Sequence, residues 1–173
     1  MDLSKFIRDV PDFPKKGIIF KDITTLLKDK KAFKEALMQL YTQVSHLEVD
    51  KVVAIESRGF IFGSLLAEKF NAGLVLVRKP GKLPAEKIHE SYLLEYGEDS
   101  LEMHVDAINP GEKILIHDDL LATGGTVEAV CKMVERLGGE IAGIIFLIEL
   151  TFLKGREKLS KYNVQSIVKY DAE

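Results

Sequence analysis

The sequence predicts an α/β fold, a mainly parallel central sheet flanked by helices, and three observations predict it. Short β-branched apolar runs alternate with stretches of helical period from residue 51 onward. Runs of that kind belong to parallel strands covered on both faces. The chain of 173 residues is one domain's worth, 1–173, and long enough to bury a core without disulfides or metals. One segment, 79–106, breaks the alternation with a basic, proline-flanked loop and two shorter, partly polar runs.

Taken in order, the opening VPDFPKKG is interrupted by two prolines and a glycine and reads as an irregular arm. A short element follows in IIFKDITTLL. Asp29 can cap a helix running on from Lys30, whose apolar face is Phe33, Leu37, Leu40, Tyr41, Val44 and Leu47. Strands are expected at Lys51 to Ile55, Gly73 to Val77, Lys113 to His117, Ile141 to Ile148 and Gln165 to Lys169. Helices are expected at Phe60 to Phe70 and Thr126 to Leu137, the latter ended by Gly138-Gly139. Within 79–106, Ser91 to Tyr96 and Ser100 to Val105 read as a β-hairpin with Gly97, Glu98 and Asp99 between them. The hairpin is expected to project from the sheet, as a flap that closes over a ligand does.

Composition excludes several classes. A net charge of −3 gives no general attraction to nucleic acid or to an anionic membrane. The single cysteine, Cys131, rules out an internal disulfide and a cysteine metal cluster, and its place in an apolar helix pattern reads as a buried reduced thiol. Such usage suits a cytoplasmic protein. MDLSKFIRDV lacks a signal-peptide profile, and the most apolar run, Ile141 to Leu150, is too short to span a bilayer. Histidines 46, 89, 104 and 117 show no metal-ligand spacing.

The chemistry concentrates in ILIHDDLLATGGTVEAV. An apolar strand ends in two acids, Asp118 and Asp119, and the C-terminal ends of parallel strands face the ligand crevice. Two adjacent carboxylates can accept the two neighbouring hydroxyls of a ribose. Ala122, Thr123, Gly124, Gly125 and Thr126 lead straight into a helix. Small residues let backbone N–H groups approach an anion, threonines add hydroxyl donors, and the helix N-terminus favours negative charge. The loop has no lysine and fits neither GxxxxGK[ST] nor GxGxxG, so it is not built for an ordinary ATP or NAD. One sugar phosphate, its diol clamped beside it, is the natural guest. The bland alternative is an acidic strand end and a glycine turn with no ligand.

This segment resembles the phosphoribosyl-pyrophosphate motif of the type I phosphoribosyltransferases, and the form DDLLATGGT resembles that of their adenine-specific members. DFPKKGIIFKDIT, ESRGFIFG, VRKPGKLP, SYLLEYG and LTFLKGREKL are similar to stretches of the same enzymes in the same order. Two departures are His117, where an aliphatic residue is expected, and Ser57, where alanine is frequent.

The resemblance implies that adenine and 5-phosphoribosyl 1-pyrophosphate react to give AMP and pyrophosphate. Mg²⁺ is the expected cofactor, held mainly by substrate and water and not directly by protein, and a homodimer is the expected assembly. Residues 1–35 would form an N-terminal hood that binds the base, and 79–106 a flexible catalytic loop. Glu95 and Arg58 would be catalytic. Ser57, Arg58, Arg78, Lys79, Lys82, Tyr96, Asp118, Asp119 and the loop 122–126 would bind phosphoribosyl pyrophosphate, with Arg78, Lys79 and Lys82 forming a mobile cationic arm. Phe20 and Leu120 would sandwich the purine while the backbone of Ile19 and Lys21 reads its edge. For Arg58 the plain alternative is pairing with Glu56 or with solvent; for the basic loop, a solvated surface; for Glu95, an exposed strand carboxylate. Two other functional classes stand beside this reading. One is a non-catalytic regulator that senses phosphoribosyl pyrophosphate, and the other a phosphoribosyltransferase for a different nucleobase.

Overall fold

The computed structural model describes residues 1–94 and 97–172. Strand β1 (Arg8–Pro11) pairs antiparallel with β2 (Ile19–Asp22), so the proline-broken arm is partly a two-stranded ribbon rather than wholly irregular. The short helix α1 (Thr24–Leu27) leads into α2 (Lys30–Val44). Asp29 caps α2 as expected: its carboxylate accepts the N–H groups of Lys31 and Ala32, both at 2.9 Å, a contribution of about 1 kcal/mol. The line of α2 that is fully buried is Ala32, Ala36, Leu40 and Val44, while Phe33, Leu37 and Tyr41 flank it half-buried. Alanines carry little hydropathy signal, yet their small size brings the helix backbone close to its neighbours.

The remaining strands are β3 (Lys51–Ile55), β4 (Gly73–Val77), β5 (Lys87–Leu94), β6 (Gly97–His104), β7 (Lys113–Leu121), β8 (Glu140–Leu150) and β9 (Val164–Tyr170). Helix α3 (Gly59–Phe70) joins β3 to β4, and α4 (Gly125–Arg136) joins β7 to β8. The central sheet has the order β4-β3-β7-β8-β9 and is parallel throughout. One apolar layer joins α2 and α3 to the sheet through Leu40, Val52, Phe62, Leu66 and Leu115. The other joins α4 through Val127, Val130, Val134, Ile114 and Ile116. A leucine or isoleucine cut to alanine in either layer costs roughly 2–5 kcal/mol. Cys131 lies in the second layer, and burial pushes its thiol pKa up to about 12, so it is inert.

Three expectations are corrected here. Strand β7 does not stop at His117 but carries the acid pair within it, to Leu121. The hairpin turn is not at Gly97–Asp99, because those residues pair in β6 with Leu94, Leu93 and Tyr92. Nor does the hairpin simply project: Tyr92, Leu101 and Met103 are buried in the same apolar layer as α4, and Arg78 bridges to Glu102. Among the described residues no helix is long and apolar enough to cross a membrane.

Candidate active site

The topology itself makes a crevice. From β3 the chain moves outward through α3 to β4 on one side. From β7 it moves through α4 to β8 on the other. Strands β3 and β7 are therefore neighbours whose following loops diverge, the switch point where open parallel sheets bind ligands. Their pairing ends at Ala54↔His117, while β7 continues against β8 through Asp118↔Phe146 and Leu120↔Ile148. The acid pair thus emerges just past the end of β3, opposite the Glu56–Arg58 loop. A cleft of about 420 Å³ opens there. Its lining includes Phe20, Ser57, Arg58, Lys79, Asp118, Asp119, Leu120, Ala122, Thr123, Gly124 and Thr126.

At the floor, Asp118 is half-buried and Asp119 buried. Burial first, and then the neighbouring Asp119 carboxylate, push the Asp118 carboxyl well above the usual carboxylate range. Burial also raises Asp119, and Arg58 works against that rise. Arg58 Nε lies 2.8 Å from Asp119 Oδ2, an ion pair without the alignment of a hydrogen bond. The Arg58 guanidinium also donates to the Lys21 carbonyl at 3.3 Å and stands 4.7 Å from the centre of the Phe20 ring. Arg58 therefore reaches across the cleft to the arm and the acids, and does not pair with Glu56.

Glu56 instead grips Arg78, which donates to both its oxygens at 3.2 Å, and accepts the Lys79 N–H at 2.8 Å. Burial pushes the Glu56 pKa upward, but these donors outweigh it and hold it low. Lys79 is held by Asp99 and by the Tyr92 hydroxyl at 3.1 Å, so the hairpin fixes one cation beside the cleft. Burial opposes its charge, and those two partners more than restore it. Lys82 is exposed.

The loop after β7 is shaped for close approach. Gly124 has φ +83°, a left-handed conformation that favours glycine, and caps α4 without a side-chain hydrogen bond. The first-turn amides of α4 have no intrahelical acceptor and face the loop. His117, earlier on β7, is fully buried with its ring toward Gly63 of α3, and its Nδ1 lies 2.9 Å from the Ile145 carbonyl. Burial brings its pKa down to about 4, so it is neutral and Nδ1 carries the donating proton.

The phosphoribosyl transferase domain family matches residues 21–172. The adenine phosphoribosyltransferase of Thermosipho africanus is 57% identical over 97% of this chain and 99% of its own length. This chain belongs to the adenine phosphoribosyltransferase family. The crystal structure of the adenine phosphoribosyltransferase from Thermoanaerobacter pseudethanolicus superposes with a TM-score of 0.95 at 53% identity, covering 98% of both chains. The Giardia lamblia enzyme, crystallised with 9-deazaadenine, superposes at 0.93 with 35% identity, covering 99% of this chain and 97% of its own. The fold is that of the type I phosphoribosyltransferases.

Within that family frame, the structure brings Arg58, Ser57, Lys79, the acid pair, Ala122, Thr123, Gly124, Thr126, Phe20 and Leu120 to one cleft. It does not bring the Lys21 side chain there. Lys21 is buried, pairs with Asp9 at 2.8 Å and sits 4.0 Å over the Tyr170 ring, leaving its backbone as the part turned to Arg58. Ile19 is half-buried in β2. Glu95 and Tyr96 lie outside the described residues. Sequence reasoning missed Tyr92 and Asp99, whose role appears only once β5 and β6 are paired in register.

Proposed function

We propose that the chain transfers the 5-phosphoribosyl group of phosphoribosyl pyrophosphate to adenine, releasing AMP and pyrophosphate in purine salvage. The observation that carries this is the union, in one cleft, of an acid pair, a small-residue loop opening a helix, and cations on the opposite wall. Asp118 and Asp119 hold the ribose diol, and the loop 122–126 holds the 5-phosphate through N–H groups and the Thr123 and Thr126 hydroxyls. The anomeric carbon–oxygen bond to pyrophosphate loosens, the ribose gains oxocarbenium character, and adenine N9 attacks. The acid pair adds negative potential beneath that developing cation.

Arg58, Lys79, Arg78 and Lys82 take up charge on the leaving pyrophosphate. For Arg58 to do so its guanidinium leaves Asp119 and the Phe20 ring, exchanging one carboxylate for a more highly charged partner. Phe20 and Leu120 then hold the purine, with the backbone of Ile19 and Lys21 at its edge. Residues 1–35 act as the base-binding hood, and 79–106 as the loop that carries Glu95 and Tyr96 to the substrates. The chain as a whole, 1–173, works as one domain.

The donor set suits a metal carried in by the substrate. Among the described residues no three His, Cys, Asp or Glu side chains cluster to hold an ion. Mg²⁺ keeps much of its water and needs few protein ligands. The acid pair would hold the diol end of such a complex and the basic loop its pyrophosphate end. When bound, Mg²⁺ supplies further neutralisation of the leaving group. A homodimer and a cytoplasmic setting complete the reading, and the buried, reduced Cys131 suits the latter.

Base choice tests the assignment. Turnover with adenine is expected to exceed that with hypoxanthine by about a hundredfold or more, because a site built for the exocyclic amine leaves polar groups unpaired when that amine is replaced. A coupled assay over adenine, hypoxanthine, guanine and orotate measures it. Equal rates with adenine and hypoxanthine would sink the adenine reading, and no turnover of any base would favour the non-catalytic regulator.

A further inference from the structure

The loop 122–126 does not stand free. Its back is packed against Gly155, in the 3₁₀ turn Gly155–Leu159 that follows β8. A Cβ built on Gly155 would lie 2.1 Å from the Ala122 carbonyl oxygen and 2.9 Å from the Gly124 nitrogen. A Cβ on Gly124 would in turn lie 2.5 Å from the Gly155 carbonyl oxygen. The two backbones therefore touch at both residues, and neither tolerates a side chain without one of them moving. Gly155 itself is buried and has little room to retreat.

What holds Gly155 in place is the next residue. Arg156 donates to both oxygens of Glu149, at 2.9 and 2.5 Å, and to the Val164 carbonyl at 2.6 Å. Glu149 is buried on β8, directly beside Leu121 in the register, and also accepts the Ser166 hydroxyl at 2.5 Å. Burial pushes the Glu149 pKa upward, but Arg156 and Ser166 hold it low, so the pair is fully charged at neutral pH. A planar guanidinium in a two-oxygen grip fixes direction as well as distance. The clamp ties the 3₁₀ turn to the two strands β8 and β9, and the turn in turn backs the loop.

We propose that Gly155, fixed by the Arg156–Glu149 clamp, is a positioning residue for the 5-phosphate of phosphoribosyl pyrophosphate. It sets how far the amides of the 122–126 loop stand from that phosphate, without touching substrate itself. The inference rests on the reading of 122–126 as the phosphate loop. Side-chain addition at Gly155 must displace the loop by roughly 1 Å to restore ordinary contact, and a misplacement of that size can cost about 10²-fold.

The test compares Gly155→Ala, Arg156→Lys and Thr126→Val with the wild-type enzyme, using ribose 5-phosphate binding by calorimetry and steady-state kinetics. Gly155→Ala is expected to raise the KM for phosphoribosyl pyrophosphate and the ribose 5-phosphate Kd together, by about tenfold or more, while the KM for adenine stays within about twofold. Arg156→Lys keeps the charge but loses the fork, and should shift the same two quantities less. A role in packing only would lower the melting temperature and the active fraction and leave both constants unchanged in the folded enzyme. That result in Gly155→Ala overturns the proposal; if Gly155→Ala does not fold, the same result in Arg156→Lys overturns it. Thr126→Val separates the two levels. If it weakens ribose 5-phosphate binding while the Gly155 and Arg156 variants do not, the phosphate loop stands and its buttress falls. If it too leaves binding unchanged, the phosphate-loop reading falls and this inference with it.

Discussion

Exchanging Asp118 and Asp119 together for asparagine is expected to weaken ribose 5-phosphate binding and slow turnover by about 10²-fold. An asparagine oxygen still accepts a diol hydroxyl, but without the charge each such bond is weaker by about 1–1.5 kcal/mol, and two are weakened. The fold should survive, because both side chains belong to the cleft floor. The Asp119 N–H, which donates to Asp118 Oδ1 at 2.9 Å, can donate equally to an asparagine oxygen. Stability should move the other way. Burial and the adjacent carboxylate raise the Asp118 pKa, so the folded state binds that proton more tightly than the unfolded chain. Below about pH 4, the ordinary aspartate range, both states are protonated and no penalty exists. As pH rises from there through the raised folded pKa, folding loses stability, and the full penalty stands above it. Asparagine carries no such charge. Asp118→Asn, which spares the Arg58–Asp119 pair, should therefore melt higher than wild type at pH 7, with the gap closing near pH 4. Calorimetry at the two pH values measures it. An equal gap at both would remove the electrostatic explanation, and unchanged sugar-phosphate affinity in the double variant would remove the clamp.

The same acids show how far the sequence could be read. Five parallel strands were legible because each is a compact β-branched run, and their C-terminal ends pointed to the acids and the glycine loop. The end of β7 was not legible. Acids weaken a strand pattern, yet here the backbone of 118–121 still pairs with β8, and the side chains are tolerated because a ligand cleft opens beside them. The hairpin turn was misplaced for a related reason. Gly97, Glu98 and Asp99 have turn composition, but Asp99 sits in β6 where Lys79 and Tyr92 satisfy its carboxylate. Tertiary partners overrode local propensity. The Glu56–Arg78 grip, the Lys79–Asp99 pair and the Gly124–Gly155 contact join residues distant in sequence. No periodicity or spacing encodes such pairs. His117, an unexpected residue for a strand interior, is accommodated because its neutral ring donates to the Ile145 carbonyl next to it in the sheet.

Glu95→Gln is expected to lower kcat by about 10²- to 10⁴-fold with a much smaller change in sugar-phosphate binding. Adenine must lose its N9 proton or gain one elsewhere as the new bond forms, and a positioned carboxylate contributes typically about that much to such a transfer. Glutamine keeps the size and hydrogen-bonding capacity of glutamate and removes the base. Glu95 itself lies outside the described residues, so its role rests on the family resemblance. Tyr92, earlier in the sequence on β5, lines the cleft and holds Lys79 there. Glu95→Leu should be no more active than Glu95→Gln, and should also weaken adenine binding by removing a polar contact. An exposed carboxylate with no role makes a different forecast, since both substitutions would then leave the rates unchanged. Single-turnover kinetics are the deciding measurement, because slow product release can hide a chemical defect in steady-state rates. A single-turnover rate for Glu95→Gln equal to that of wild type would strip Glu95 of its catalytic role, and the proton would have to leave through water or backbone.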